Sequence, residues 1–492
     1  MSADDLDPTF PPTRLLSPHR HARAESFARR RFLGGAAGTA GAVAAGALLG
    51  PARALADTSD RIDVKMFGAH GDGVKNDTAA IQATLDAASS GGTVHIPAGT
   101  YMISAPLVLY DKVHLKGDGH ASIIKAKTGF AGNANGSYLI DSYLKQQVII
   151  SDLAFDPATL ADGAILIANG GSGNTMSSVD RCRIATGALY GIVIGKTSDN
   201  NNGTSGTWIR HSLMYGSPTG SQAAVVMNWG DSFMVGSTID ALSSNIIPYG
   251  MIISASGCKI WSCHIHHGRE ANVFIPRGGD ISLVGNWIDG IAEAATGVLV
   301  QPAAGVSVID LLIEGNYFQQ NFTNDDTSSL VKLDNPNATT LTDIYVVGNH
   351  AQGKSSGIGF KAMVETTANV TSDPRLVISN NSSRWCNRVL SQAAGSWKPF
   401  VNHANFLKVA STASGLVKGG QYVSTNRGSA ALPGATSTLN IAHGLPGIPT
   451  SVSIAQSLQG ASQPTIAVDI TNITLTWATA PGAETIYWTA WL

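Results

Sequence analysis

The stretch "IWSCHIHHGREANVFIPRGGDISLVGNWI", residues 260–288, states one six-residue phrase twice, as IWSCHI (260–265) and LVGNWI (283–288). Each copy is apolar at its first and sixth positions and carries a small or amide residue at its fourth. Outward from there the phrase recurs as ISDLAF (150–155), VDRCRI (179–184), IRHSLM (209–214), MVGSTI (234–239), IEGNYF (313–318), VVGNHA (346–351) and ISNNSS (378–383). The first position is always apolar, and the sixth is apolar until the series decays at ISNNSS. The fourth reads Leu153, Cys182, Ser212, Ser237, Cys263, Asn286, Asn316, Asn349 and Asn381, at intervals of 23 to 33 residues. Between the phrases lie second apolar runs, among them AILIA (164–168), GIVIG (191–195), NVFIP (272–276), GVLVQ (297–301), LVKLD (330–334) and AMVE (362–365).

These runs are short and alternate with period two, which excludes helix. No unit can bury its apolar side alone, so the units must stack. The pattern therefore predicts an all-β chain folded as a parallel β-solenoid of nine or more coils. A β-propeller would need longer, near-constant units of four strands. Stacking turns the fourth position into an inward ladder in which the asparagine amides satisfy the turn backbone. Cys182 and Cys263 share that row three coils apart, roughly 14 Å at about 4.8 Å per coil, too far for a disulfide. A bridge between Cys258 and Cys386 stays open.

At the N-terminal end, "MFGAHGDGVKNDTAAIQATLDAA" (66–88) feeds a glycine-rich loop into a helix. It fits neither the P-loop nor the dinucleotide pattern, and Asp72 would repel a phosphate. Asp77 is the expected N-cap, and Ala80, Ile81, Thr84, Leu85 and Ala88 form an amphipathic face. Such a helix would cap the open end of the solenoid and block edge pairing. Four regions follow: an export signal over 1–56, a capped solenoid over 57–395, a connection over 396–427 and a small antiparallel β-sandwich over 428–492.

The first region carries Arg29-Arg30-Arg31-Phe32-Leu33, a weakly apolar Ala/Gly run and a small-x-small end at Ala54-Leu55-Ala56. It resembles a twin-arginine signal, which predicts export to the periplasm or beyond and no membrane span in the mature chain. Without its seven arginines and four acids, the 32 basic and 34 acidic residues become 25 and 30. A net charge of −5 lacks the basic field of a nucleic-acid binder.

The segments "FGAHGDGVKNDTAAIQATLDAA", "GGTVHIPAGTYMIS" and "VHLKGDG" closely resemble the N-terminal region of the pectate-lyase-like superfamily (polygalacturonase-, rhamnogalacturonase- and epimerase-related). The resemblance implies a right-handed parallel β-helix acting on a polysaccharide, in a superfamily that includes hydrolases, epimerases and phage tailspikes. The DPHE run of alginate epimerases and the NTD…DD…HG series of polygalacturonases do not appear. "FIPRGGDISLVGNWIDG" (274–290) resembles one coil of chondroitinase-B-like lyases, which would make Lys259 and Arg277 the eliminating pair.

Aligning the second runs places Asn228, Ser254, Pro276, Gln301, Asp334 and Glu365 in one outward row. Asp334 and Glu365 would then be a carboxylate pair roughly 5–7 Å apart, suited to acid/base hydrolysis of a glycoside. Lys332 and Gln301 would contact substrate beside them. The second candidate is HIHHGRE (264–270): His266, His267 and Arg277 for β-elimination, with Glu270 binding substrate. Trp287 and Tyr317, stacked with His264 and His350, form an aromatic row that is either a sugar platform or a face buried in a homotrimer. No cofactor is expected, and no metal-ligand spacing is read. The leading expectation is a glycoside hydrolase. The alternatives are a uronic-acid lyase and a non-catalytic glycan-binding spike.

Overall fold

The computed structural model describes residues 61–491 apart from 169–175, 197–205, 217–219, 241–246, 267, 292–294, 321–326, 355–358, 388, 394–399, 402–404, 409–424, 435, 444–448, 450, 458–462 and 470. The segment read as an export signal lies outside the described residues. Among them, no helix is long and apolar enough to cross a membrane.

Each coil contributes one strand to each of three parallel sheets, here called A, B and C. Among the described residues sheets A and B have thirteen strands and sheet C eleven, each inner strand paired with those one coil before and after. The recurring phrase is the A-to-B corner. Its first two residues close a sheet A strand, and its last two lie in sheet B, as in Lys259–Trp261 followed by His264–His266. The second apolar runs are the sheet C strands, such as Ala271–Ile275. First-position residues Ile150, Val179, Ile209, Met234, Ile260, Leu283, Ile313, Val346 and Ile378 are all fully buried, as are sixth-position Ile184, Met214, Ile239, Ile265, Ile288 and Phe318. Burying each such side chain stabilises the stack by about 1.5–3 kcal/mol.

The corner has a backbone rule that the pattern did not disclose. Its third residue is left-handed in every coil: Asp152, Arg181, His211, Gly236, Ser262, Gly285, Gly315, Gly348 and Asn380, with φ from 49° to 67°. This conformation is costly for most L-residues and free for glycine, which explains the Gly-Asn pairs of the later coils. The asparagine ladder forms as expected. Asn286 Oδ1 accepts from Cys263 N at 2.9 Å, and Asn316, Asn349, Asn381 and Asn405 repeat the bond on the residue one coil earlier. Each Nδ2 also donates to a carbonyl, as Asn316 does to Leu283 O at 2.8 Å. All four cysteines are buried and none is in a disulfide, which closes the question of a Cys258–Cys386 bridge.

The helix Thr78–Ala87 stands where the first coil would place a sheet C strand. It buries Ile81, Thr84 and Leu85 on the first core layer. Gln82 pairs with the edge strand in both directions, accepting from Val108 N and donating to its carbonyl. Asp77 holds the N-cap position, but its side chain makes no cap hydrogen bond. Instead its buried carboxylate accepts from the glycine-loop amides of His70 (2.6 Å) and Gly71 (3.0 Å). The loop does cradle an anion, and the anion is its own aspartate.

Sheets A and B continue through Phe400–Val401 and Phe406–Lys408, beyond residue 395. The C-terminal residues form two three-stranded antiparallel sheets. Leu432, Ile441, Ile473, Leu475, Trp477, Ile486, Trp488 and Ala490, drawn from both sheets, make their shared core. Trp477 and Trp488 are therefore core residues.

Candidate active site

The outer face of sheet B carries two side-chain rows. In the first, His264, Trp287, Tyr317 and His350 are register partners on successive strands. Their rings meet in sequence: His264 stacks on Trp287 at 4.7 Å, Trp287 meets Tyr317 edge-on at 5.9 Å, and Tyr317 stacks on His350 at 5.5 Å. Trp287 is 47% exposed although it lies mid-sheet. The second row places Asp240, His266 and Asp289 on three successive strands.

The two rows converge around the histidines. His264 Nε2 lies 3.0 Å from Asp289 Oδ1. The same oxygen is 4.0 Å from His266 Nδ1, and Asp240 Oδ1 is 3.6 Å from His266 Nε2. His266 is thus bracketed by carboxylates on both ring nitrogens, and its ring stacks on His264 at 4.4 Å. Burial, together with the charge of Asp289, raises the Tyr317 phenol above its ordinary pKa. The donor atoms of His264, His266 and Asp289 all lie within 4.8 Å of one another, close enough to hold one metal ion. Two coils upstream of Asp240, the Arg183 guanidinium sits 4.2 Å over the Tyr215 ring, and Arg384 lies farther along the same sheet.

The other sequence candidates lie elsewhere. Lys259 is on sheet A, where its Nζ bonds Asp280 Oδ1 at 2.5 Å. Arg277 occupies the corner between the sheet C strand Ala271–Ile275 and the sheet A strand Gly278–Val284. Neither shares a sheet with His266. Glu270 accepts from the Tyr249 hydroxyl at 2.9 Å and pairs with Arg269 at 3.1 Å. His267 lies outside the described residues.

Asp334 and Glu365 are on neighbouring strands of sheet C but out of register by two. The row from Ser254 through Gln301 to Asp334 continues into Thr367, whereas Glu365 faces Lys332. Asp334 accepts from Gln301 Nε2 (2.6 Å), Thr367 Oγ1 (2.5 Å) and Asn369 Nδ2 (2.7 Å). Burial alone would raise its pKa, but these three bonds outweigh it and hold the carboxyl below its ordinary value. Glu365 accepts from Ser329 Oγ and pairs with Lys361 Nζ, each at 2.8 Å. Sequence reading missed Asp240 and Asp289. Their signal was register: both align with His266 once the corner phrases are superposed.

Comparison with known proteins agrees with this architecture. A family model described as "Rhamnogalacturonase A/epimerase, pectate lyase-like" matches residues 61–241, the cap and the first coils. Mannuronan C5-epimerase AlgE1 of Azotobacter vinelandii is 45% identical over 84 residues, which are 15% of this chain and 6% of that protein. Alginate lyase 7 of the same organism is 32% identical over 159 residues, 29% of this chain and 16% of that one. The matched segments thus span a small fraction of these relatives. Among solved structures, a mutant tailspike of E. coli bacteriophage HK620 in complex with a hexasaccharide superposes with a TM-score of 0.60 at 12% identity, covering 88% of this chain and 94% of that one. The chain folds as a parallel β-helix whose cap and first coils are similar to the pectate-lyase-like family.

Proposed function

We propose that this β-helix processes a uronate-bearing polysaccharide bound along the outer face of sheet B, by abstraction of the sugar C5 proton at His266. The observation that carries the reading is the convergence of His264, His266, Asp240 and Asp289 beside the exposed Trp287. From the strand of Arg183 to that of Arg384 the face spans eight strands, roughly 34 Å at about 4.8 Å each. That length suits a chain polymer. Arginines toward its two ends suit an anionic one, despite the net negative charge.

In this reading Trp287 and Tyr317 stack against sugar rings, and His264, held by its bond to Asp289, faces the substrate carboxylate. His266 takes the C5 proton, with Asp240 orienting its ring and stabilising the imidazolium. In elimination the C5–H electron pair forms the C4–C5 double bond, the C4–O bond breaks, and the departing oxygen takes up a proton. Removal of the C5 proton is also the first step of C5 epimerisation, so the names of both Azotobacter relatives fit one initial event. Glycoside hydrolysis by Asp334 and Glu365 is the weaker reading, because each carboxylate is engaged by its own partners. Export through the leading arginine-rich segment belongs to the same proposal.

The test is incubation with alginate and pectate in deuterated water. Deuterium at C5 or an unsaturated product supports the reading. New reducing ends with neither would sink it.

A further inference from the structure

His264 and His266 are two residues apart on one strand, so both imidazoles leave sheet B on the same side. Asp289 comes from the next strand, in register with His266. A tetrahedral cation with bonds of about 2.0–2.1 Å to its ligands separates the ligand atoms by roughly 3.4 Å. The separations here bracket that value: Asp289 Oδ1 is 3.0 Å from His264 Nε2 and 4.0 Å from His266 Nδ1. We propose that His264, His266 and Asp289 bind a divalent transition-metal cation of the zinc type, with the fourth position open toward the sheet B face.

The donor chemistry selects the ion. Two imidazoles and one carboxylate suit zinc and its neighbours, whereas calcium takes six to eight oxygens. The surroundings match what such ligands require. Asp240 lies on the far nitrogen of His266, at 3.6 Å from Nε2. It would accept that N–H and so leave the Nδ1 lone pair for the cation. Trp287, stacked on His264, limits rotation of the second ring. All three donor atoms lie within 4.8 Å of one another, so side-chain adjustments of up to about an ångström bring them to bonding distance.

A bound cation occupies the lone pair that proton abstraction needs. Resting on the function proposed above, metal loading is therefore an off-state of the same cluster. The metal binding itself does not depend on that reading.

The experiment titrates Zn2+ into the tag-free full chain by calorimetry and records the visible spectrum with Co2+. We expect about one strong site per chain and the intense absorption of tetrahedral Co2+. His264→Ala/His266→Ala abolishes this site, and Asp289→Asn, which keeps the side-chain shape, weakens it at least about tenfold. Ca2+ does not compete. If the histidine pair is removed and stoichiometry and spectrum persist, the ion sits elsewhere and the proposal is overturned. A weak octahedral Co2+ spectrum, or undiminished binding in Asp289→Asn, overturns it equally. Zinc binding that leaves C5 exchange untouched would uphold the metal site and remove the catalytic role given to these histidines.

Discussion

Sheets B and C each present two carboxylates, two coils apart on sheet B and on adjacent coils of sheet C, yet the two faces use them in opposite ways. On sheet C, Asp334 accepts three hydrogen bonds and Glu365 is tied to Ser329 and Lys361. On sheet B, Asp240 and Asp289 are directed at histidine rings, and an exposed aromatic ring lies beside them. Residue type is shared, and partner chemistry differs. A carboxylate saturated by fixed donors holds the fold, whereas one that orients an imidazole can take part in proton transfer.

The largest expected effect tests the active half of this contrast. His266→Ala should lower the rate of C5 exchange about 10²–10⁴-fold with the melting temperature nearly unchanged. Rates and melting curves on the same preparation check it, and equal loss in Asp334→Asn would erase the distinction between the faces. Next, Trp287→Ala should weaken glycan binding about 3–10-fold, the scale of one aromatic stacking contact, while folding is unaffected. Affinity electrophoresis in a gel containing the glycan would show it. Unchanged mobility would mean that the row is not a sugar platform.

The structural half predicts the reverse pattern. Glu365→Gln removes the charged acceptor of Lys361 and should cost about 1–2 kcal/mol of stability with no change in turnover. Denaturant unfolding alongside the exchange assay reads both. A fall in turnover at constant stability would return Glu365 to the catalytic candidates.

How far the sequence led can be traced through these same residues. Apolar first and sixth positions were enough to call a stacked solenoid, because each coil's core residues recur at fixed places. The fourth-position asparagines were enough to call the ladder. Register on sheet C was not legible. LVKLD and AMVE were aligned with Asp334 against Glu365, but the strands Ser329–Leu333 and Ala362–Thr366 pair two residues away from that alignment. A slip of two keeps every side chain on its own face, so hydrophobic alternation cannot detect it. The left-handed third residue of the A-to-B corner escaped notice because such backbone leaves a trace only where glycine is used, and Asp152, Arg181, His211 and Ser262 show none. Asp240 and Asp289 were missed because HIHHGRE was read along the chain, while the partners of its histidines come from the coils above and below.

The smallest effect is the most specific to the sheet C face. Asp334 has a folded pKa below its ordinary value of 3.8. Burial opposes that shift, and the bonds from Thr367, Asn369 and Gln301 produce it. Folding therefore favours the ionised form. The stabilisation is complete at pH values well above 3.8 and is lost as pH falls through the folded pKa, since the unfolded chain takes up its proton first. In wild type this adds to the decline of stability below about pH 5. Asp334→Asn cannot ionise, so its stability should fall less steeply over that range, although the variant is less stable at neutral pH. Urea midpoints at pH 7 and pH 3.5 for both proteins measure the difference. Parallel declines would show that the three donors do not prefer the charged carboxylate, and the saturated role assigned to this face would then rest on Glu365 alone.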